Sequence, residues 1–279
     1  MIYHERNSQF GFGGGLTPGV RYLLTANVVI YLAQLFTGGR GAPSPLDSLA
    51  MHPHQVVHHF DFWQLLTYMF LHGSFFHIFF NMFTLFIFGC DVERTLGTKK
   101  FLHFYFLTGI GGGLVYLLFN WNSNAVVIGA SGAIYGVLVA FAVLFPDRIV
   151  TLLLFFVFPI QLKARHLVAL FIGISIFSGI QGQIFGMNDG VAHLAHLGGA
   201  LIGFILIKGQ SVFYNLNASF QIKRFQHRSM VARRKLEEAN KKRREIDRIL
   251  DRINQVGFDG ITEKEKKFLK EASEFLSKE

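Results

Sequence analysis

The sequence predicts an all-α membrane protein: six short spans forming a bundle, followed by a small soluble helical tail. Three observations predict it. The chain is 51% hydrophobic and 16% charged over 279 residues, with a mean hydropathy of +0.36, which is too apolar for a soluble domain of this length. The charge is segregated, because residues 208–279 carry 18 of the 27 Lys and Arg and 11 of the 18 Asp and Glu. Apolar runs also recur near the length a bilayer requires, about 20 residues with a range of roughly 17–25.

Taken in order, residues 1–19 are polar and glycine-rich without an apolar core. The first span is therefore expected to be an uncleaved anchor rather than a signal peptide. Spans are expected near 20–36, 75–90, 101–119, 131–145, 165–185 and 190–207. The apolar stretch 149–160 (IVTLLLFFVFPI) is too short for a seventh span and ends near Pro159, so it reads as an interfacial or re-entrant piece. Cys90 is the single cysteine, which excludes an internal disulfide. Arg94, Lys99 and Lys100 fall between spans 2 and 3, and Arg148, Lys163 and Arg165 between spans 4 and 5. The opposite loops hold only Arg40. Basic residues mark the cytoplasmic side, so both termini are expected there, with the long loop 37–74 facing outward.

Polar groups at membrane depth are costly and mark function. Span 2 holds His77 and Asn81, span 4 opens on Ser131, and span 6 holds His193 and His196. No acid falls in the middle of a span; Asp189 and Asp147 lie at edges. His77 and Asn81 are four apart and share a helix face, as do Ser131 and Tyr135. Given the orientation above, all these groups fall at similar depth near the outer side. Gly132 and Gly136 form one GxxxG and Gly199 and Gly203 another. Such pairs let helix backbones approach closely in lipid, which would bring Ser131 beside His196. His193 competes for that place but lies nearer the loop.

A serine within hydrogen-bond reach of a histidine is an activated nucleophile. Without an acid in the spans, the arrangement allowed is a dyad. An oxyanion also needs donors. The Ser131 amide at a helix start, the Asn81 side chain and the His77 ring can supply them. The chemistry that fits is acyl transfer to water, that is, peptide-bond hydrolysis. The bland readings are a helix-capping serine and a His–Asn pair that merely bridges helices. His54, His58 and His59 sit in a polar loop without carboxylates at ligand spacing apart from Asp61, and read as a solvated cluster rather than a metal site. The phenylalanine-rich run around SFFHIFFNMF reads as lipid-facing or packing surface. HExxH is absent, which excludes that metalloprotease class.

The tail, 208–279, carries Ile246, Ile249 and Ile253 as one apolar stripe on a charged helix. A GFDG turn follows, then Thr262 and Glu265 as a capping box for a second helix with Phe268, Leu269, Ala272, Phe275 and Leu276 on its face. A helical hairpin is expected. Its 11 acids temper the charge to +7, which gives no support for nucleic-acid binding.

With these residues in place, the chain resembles the rhomboid intramembrane serine proteases. GASG (Gly129–Gly132), the His77–Asn81 pair, VERTLG (Val92–Gly97), which resembles the family's short acidic-basic loop after span 2, and AHLGGALIG (Ala195–Gly203) occur in the family's order, over roughly residues 20–207. The resemblance implies a six-helix bundle with Ser131 as nucleophile, His196 as general base, and His77 and Asn81 as oxyanion stabilisers. Tyr135 would pack its ring on the histidine, with Gly129, Gly132 and Gly199 in support. It implies single-pass membrane-protein substrates cut in or near their transmembrane segments, a cell-membrane location in the lipid bilayer, and no metal or organic cofactor. The tail resembles a charged module appended to some bacterial members. The alternative is an inactive rhomboid-like protein that binds membrane clients. One departure stands out: the family's Trp-Arg in the first loop reads Trp63-Gln64 here, and glutamine cannot make arginine's bidentate contacts.

Overall fold

The computed structural model describes residues 15–37, 45–154, 158–185 and 191–276. The expectations placed on the first fourteen residues, on Arg40 and on Asp189 lie outside the described residues. The chain divides into two compact units, one up to Gln210 and one from Ser211.

In the first unit, helix α1 (Pro18–Thr37) starts on proline, a residue suited to the first helical position because its missing N–H has no intrahelical acceptor there. The loop between α1 and α4 carries two short helices, α2 (Pro53–His58) and α3 (Gln64–Thr67). Helix α4 (Phe75–Thr84) is capped by Ser74, whose extended backbone lets Oγ accept the N–H of His77 at 3.2 Å. It continues through a π-helical segment (Leu85–Gly89) into α5 (Cys90–Leu96). Helices α6 (Thr98–Asn120) and α7 (Ser131–Leu144) follow. An antiparallel hairpin, β1 (Ile149–Leu154) with β2 (Phe158–Lys163), pairs Ile149 with Lys163. Helix α8 (Ala164–Phe185) precedes α9 (His193–Val256).

Among the described residues four stretches are helical, long and apolar enough to cross a membrane: Pro18–Thr37, Phe75–Leu96, Thr98–Asn120 and Ala164–Gly182. Two further apolar helices, Ser131–Leu144 and His193–Gly209, are shorter. At 1.5 Å per residue the 14-residue α7 is about 21 Å long. That is less than the roughly 30 Å hydrocarbon thickness. Nearly every residue from Gly132 to Phe141 is buried. A helix apolar all round belongs in the centre of a bundle, and α7 packs against α4, α5, α6 and α8. By contrast Phe75, Phe76, Phe79, Phe80 and Phe83 are exposed on α4, as a lipid-facing surface requires.

Two expectations change. VERTLG is not a loop: Val92–Leu96 is helical, and the chain turns only at Gly97, whose φ of +79° favours glycine. The polar residues in it are consumed internally. The Glu93 carboxylate, 2% exposed, accepts the N–H groups of Gly19 and Val20, both at 2.8 Å, and the hydroxyls of Thr17 and Thr98. It thereby satisfies first-turn donors of α1. The pairing of Ile149–Leu154 with Phe158–Lys163 is a β-hairpin in a fold expected to be all-α, a pairing that a continuous apolar run does not announce. Arg148 at its base pairs with Asp91 on α5.

The second unit contains the remainder of α9 and α10 (Glu263–Leu276). Thr262 and Glu265 form the capping box: the Thr262 N–H donates to Glu265 Oε2 at 2.8 Å and the Glu265 N–H to Thr262 Oγ1 at 3.4 Å. Ile249 and Ile261 are buried, and Arg252 bridges to Glu265 at 3.0 Å.

Candidate active site

Ser131 is the first residue of α7, so its N–H has no acceptor within the helix. It is preceded by Gly129, whose φ of +126° is open to glycine. A side chain here would also collide with its neighbours. A Cβ on Gly129 would lie 2.7 Å from His77 Nε2 and 3.7 Å from Ser131 Oγ. His77 and Ser131 thus flank one small space that only glycine leaves open. The Gly129 N–H donates to the Tyr68 carbonyl at 2.9 Å. Tyr68 in turn donates its hydroxyl to the Gly109 carbonyl on α6 at 2.8 Å, which fixes the approach to the serine.

The start of α9 meets α7 backbone to backbone. A Cβ on Gly199 would overlap the Gly132 carbonyl oxygen, and one on Gly203 would come within 2.7 Å of Gly136 Cα. On α6, a Cβ on Gly112 would come within 2.6 Å of the Ala195 carbonyl. These close approaches bring His196 Nε2 to 2.7 Å from Ser131 Oγ. His196 is 8% exposed. Its ring lies flat on that of Tyr135, with centroids 4.5 Å apart and planes 10° from parallel. His193 lies edge-on to His196 at 5.9 Å; the bond to the serine is made by His196.

Asn81 is buried on α4 with Nδ2 making no hydrogen bond among the described residues. A buried amide N–H is normally paired, which sets this donor apart from the other buried amides of the helix. His77 is half-buried three residues after its cap, Ser74. The structure therefore gathers Ser131, His196, Tyr135, His77 and the glycines around one point. Asn81 lies one turn beyond His77 on the same helix.

Sequence reasoning missed three buried polar groups nearby. His72, 2% exposed, sets its ring edge-on to His77 at 5.0 Å. Burial and the neighbouring His77 pull its pKa down to about 4. Ser175 on α8, 1% exposed, lies 2.7 Å from the Tyr135 hydroxyl. Both were visible as polar residues beside or within apolar runs. Gln64 is the third, and it replaces the expected arginine with its own network. Its Oε1 accepts the His52 N–H at 2.8 Å, and its Nε2 donates to Gln55 Oε1 at 2.9 Å and to the Ser48 carbonyl at 3.4 Å. The loop is thus cross-linked by neutral hydrogen bonds in place of a charged fork. The rings of His54 and His58 lie 4.4 Å apart, and among the described residues no group of three His, Cys, Asp or Glu is arranged to hold a metal.

Comparison with known proteins shows which families the chain matches. The family model of the rhomboid domain matches residues 59–211, and a family of unknown function (DUF6576) matches 233–275. Rhomboid-like protein 11, chloroplastic, of Arabidopsis thaliana is 32% identical over 74% of this chain and 70% of its own. Rhomboid protease AarA of Providencia stuartii is 30% identical over 66% of this chain and 69% of its own. Rhomboid protease GlpG of Haemophilus influenzae is 30% identical over 67% and 88%. A chain of repeated apolar helices with these motifs, matched over more than half its length, belongs to the rhomboid family of multi-pass membrane proteins.

Proposed function

We propose that this protein is an intramembrane serine endopeptidase that hydrolyses peptide bonds in or near the transmembrane segments of single-pass membrane proteins. The observation that carries the reading is the 2.7 Å hydrogen bond between Ser131 Oγ and His196 Nε2. It lies on a helix shorter than a bilayer and beside donors suited to an oxyanion. The protease names of the two bacterial relatives support it. In this reading all six apolar helices cross the membrane, both termini are cytoplasmic, and the chain resides in the cell membrane. The segment 208–279 is its cytoplasmic tail.

The chemistry follows from the atoms. Ser131 Oγ attacks the scissile carbonyl carbon while His196 Nε2 takes its proton. The carbonyl oxygen becomes an oxyanion and accepts from Asn81 Nδ2, a His77 ring N–H and the Ser131 amide. Each such donor is worth about 10²–10³ in rate. The C–N bond then breaks as His196 returns the proton to the leaving amine. Water, deprotonated by His196, attacks the acyl-enzyme, and Ser131 leaves with its proton restored. The Tyr135 ring keeps the imidazole plane fixed throughout. No step calls for a metal or an organic cofactor.

The test is cleavage of a single-pass substrate by purified protein in proteoliposomes. Wild type is expected to cut, and Ser131→Ala and His196→Ala to lose cleavage while remaining folded. A wild type that binds the substrate without cutting it, indistinguishable from both variants, would establish the client-binding alternative instead.

A further inference from the structure

We propose that Ser175 is a positioning residue for the histidine base, acting through the Tyr135 hydroxyl; this rests on the protease reading above. In the middle of α8 the neighbours of Ser175 face outward: Ile174, Ile176 and Phe177 are 50%, 45% and 62% exposed, while Ser175 is 1% exposed. A serine inside a helix ordinarily turns its hydroxyl back to the carbonyl four residues earlier, here Phe171. The Tyr135 hydroxyl lies 2.7 Å from Ser175 Oγ and 3.5 Å from that same Phe171 carbonyl. The phenol hydroxyl is thus held on α8 chiefly by the Ser175 hydroxyl, with the Phe171 carbonyl as a longer second contact.

The consequence reaches the nucleophile. Tyr135 is fixed at its Cβ by α7 and at its hydroxyl by Ser175, so its ring is held at both ends. That ring is the flat surface against which His196 lies, 4.5 Å away and 10° from parallel. His196 in turn is 2.7 Å from Ser131. Stacking alone fixes neither the tilt nor the slide of a ring; the tether at the far end supplies both. Without the Ser175 hydroxyl, the phenol keeps only the 3.5 Å contact, the ring tilts, and the imidazole follows it.

The full-length protein in detergent is assayed for kcat and KM on a single-pass substrate, and for its rate of reaction with a fluorophosphonate. Ser175→Ala is expected to lower kcat and the labelling rate about tenfold, the worth of one such hydrogen bond, with KM within about twofold. Ser175→Thr, which keeps the hydroxyl, restores both. Tyr135→Phe reproduces the loss, and Ser175→Ala added to it costs nothing more, because both changes remove one interaction. The role is overturned if Ser175→Ala labels and turns over at the wild-type rate, if the two losses multiply, or if the threonine variant fails to rescue at unchanged thermal stability. Should Ser175→Ala not fold, Tyr135→Phe decides, and full activity in that variant overturns the role. A wild type that neither labels nor cleaves defeats the protease reading itself, whereas a reactive wild type with unaffected variants defeats only the positioning of Tyr135.

Discussion

The sharpest perturbation is the smallest one: a single methyl at Gly199. An alanine Cβ there would overlap the Gly132 carbonyl oxygen, whereas ordinary contact begins near 3.4 Å. The obstacle is backbone on a central, buried helix and cannot swing aside, so α9 must retreat from α7 by roughly 1 Å. His196 is three residues away on the retreating helix, and its bond to Ser131 is 2.7 Å long. A shift of roughly 1 Å in a reacting pair costs about 10²-fold in rate. Gly199→Ala is therefore expected to reduce kcat/KM on a single-pass substrate by about two orders of magnitude. Its effect on stability is muted, because alanine gains about 1 kcal/mol of helix propensity over glycine. Gly173→Ala on α8 is the matched control, since a Cβ there meets nothing within 4 Å; it should retain wild-type activity. If Gly199→Ala stays folded and keeps more than about a third of wild-type kcat/KM, the claim that helix approach sets the Ser–His geometry is wrong.

Three further outcomes follow from the buried polar groups. His72 has its pKa lowered from 6.5 to about 4. The unfolded chain therefore binds the proton first as pH falls, and stability present above pH 6.5 declines down to about pH 4, by roughly 3 kcal/mol at most. His72→Leu should flatten that part of the Tm-against-pH curve relative to wild type, and parallel curves would show that His72 does not carry the effect. Glu93→Ala strands two amides and two hydroxyls and should cost about 2–4 kcal/mol, read as a fall in Tm in detergent. Gln64→Ala leaves the His52 N–H without its side-chain acceptor and should cost about 1–3 kcal/mol, with earlier proteolysis of the loop between α1 and α4. An unchanged cleavage rate of that loop would mean its hydrogen bonds do not hold it.

What the sequence made legible divides along physical lines. Apolar length and periodicity are local, and they located α1, α4, α6, α7 and α8 to within a few residues. The two GxxxG pairs also carried long-range information, because a glycine facing a glycine leaves few other ways for two helices to pack. That is how the meeting of Ser131 with His196 could be anticipated from residues 65 positions apart. The failures concern polar residues whose partners are remote. Glu93 and Arg94 read as a loop, yet Glu93 caps a helix that begins 75 residues earlier. Gln64 read as a lost arginine because its partners, His52, Gln55 and Ser48, are fixed only by the loop's fold. The β-hairpin depends on pairing across the chain, which an unbroken apolar run does not encode.

Whether Ser131 is a nucleophile activated by His196 is answered most directly by purified protein treated with a fluorophosphonate and analysed by intact mass and peptide mapping. The expected result is one covalent adduct, on Ser131, absent in Ser131→Ala and in His196→Ala. An unmodified wild type, or an adduct that persists at the wild-type rate without His196, would contradict it.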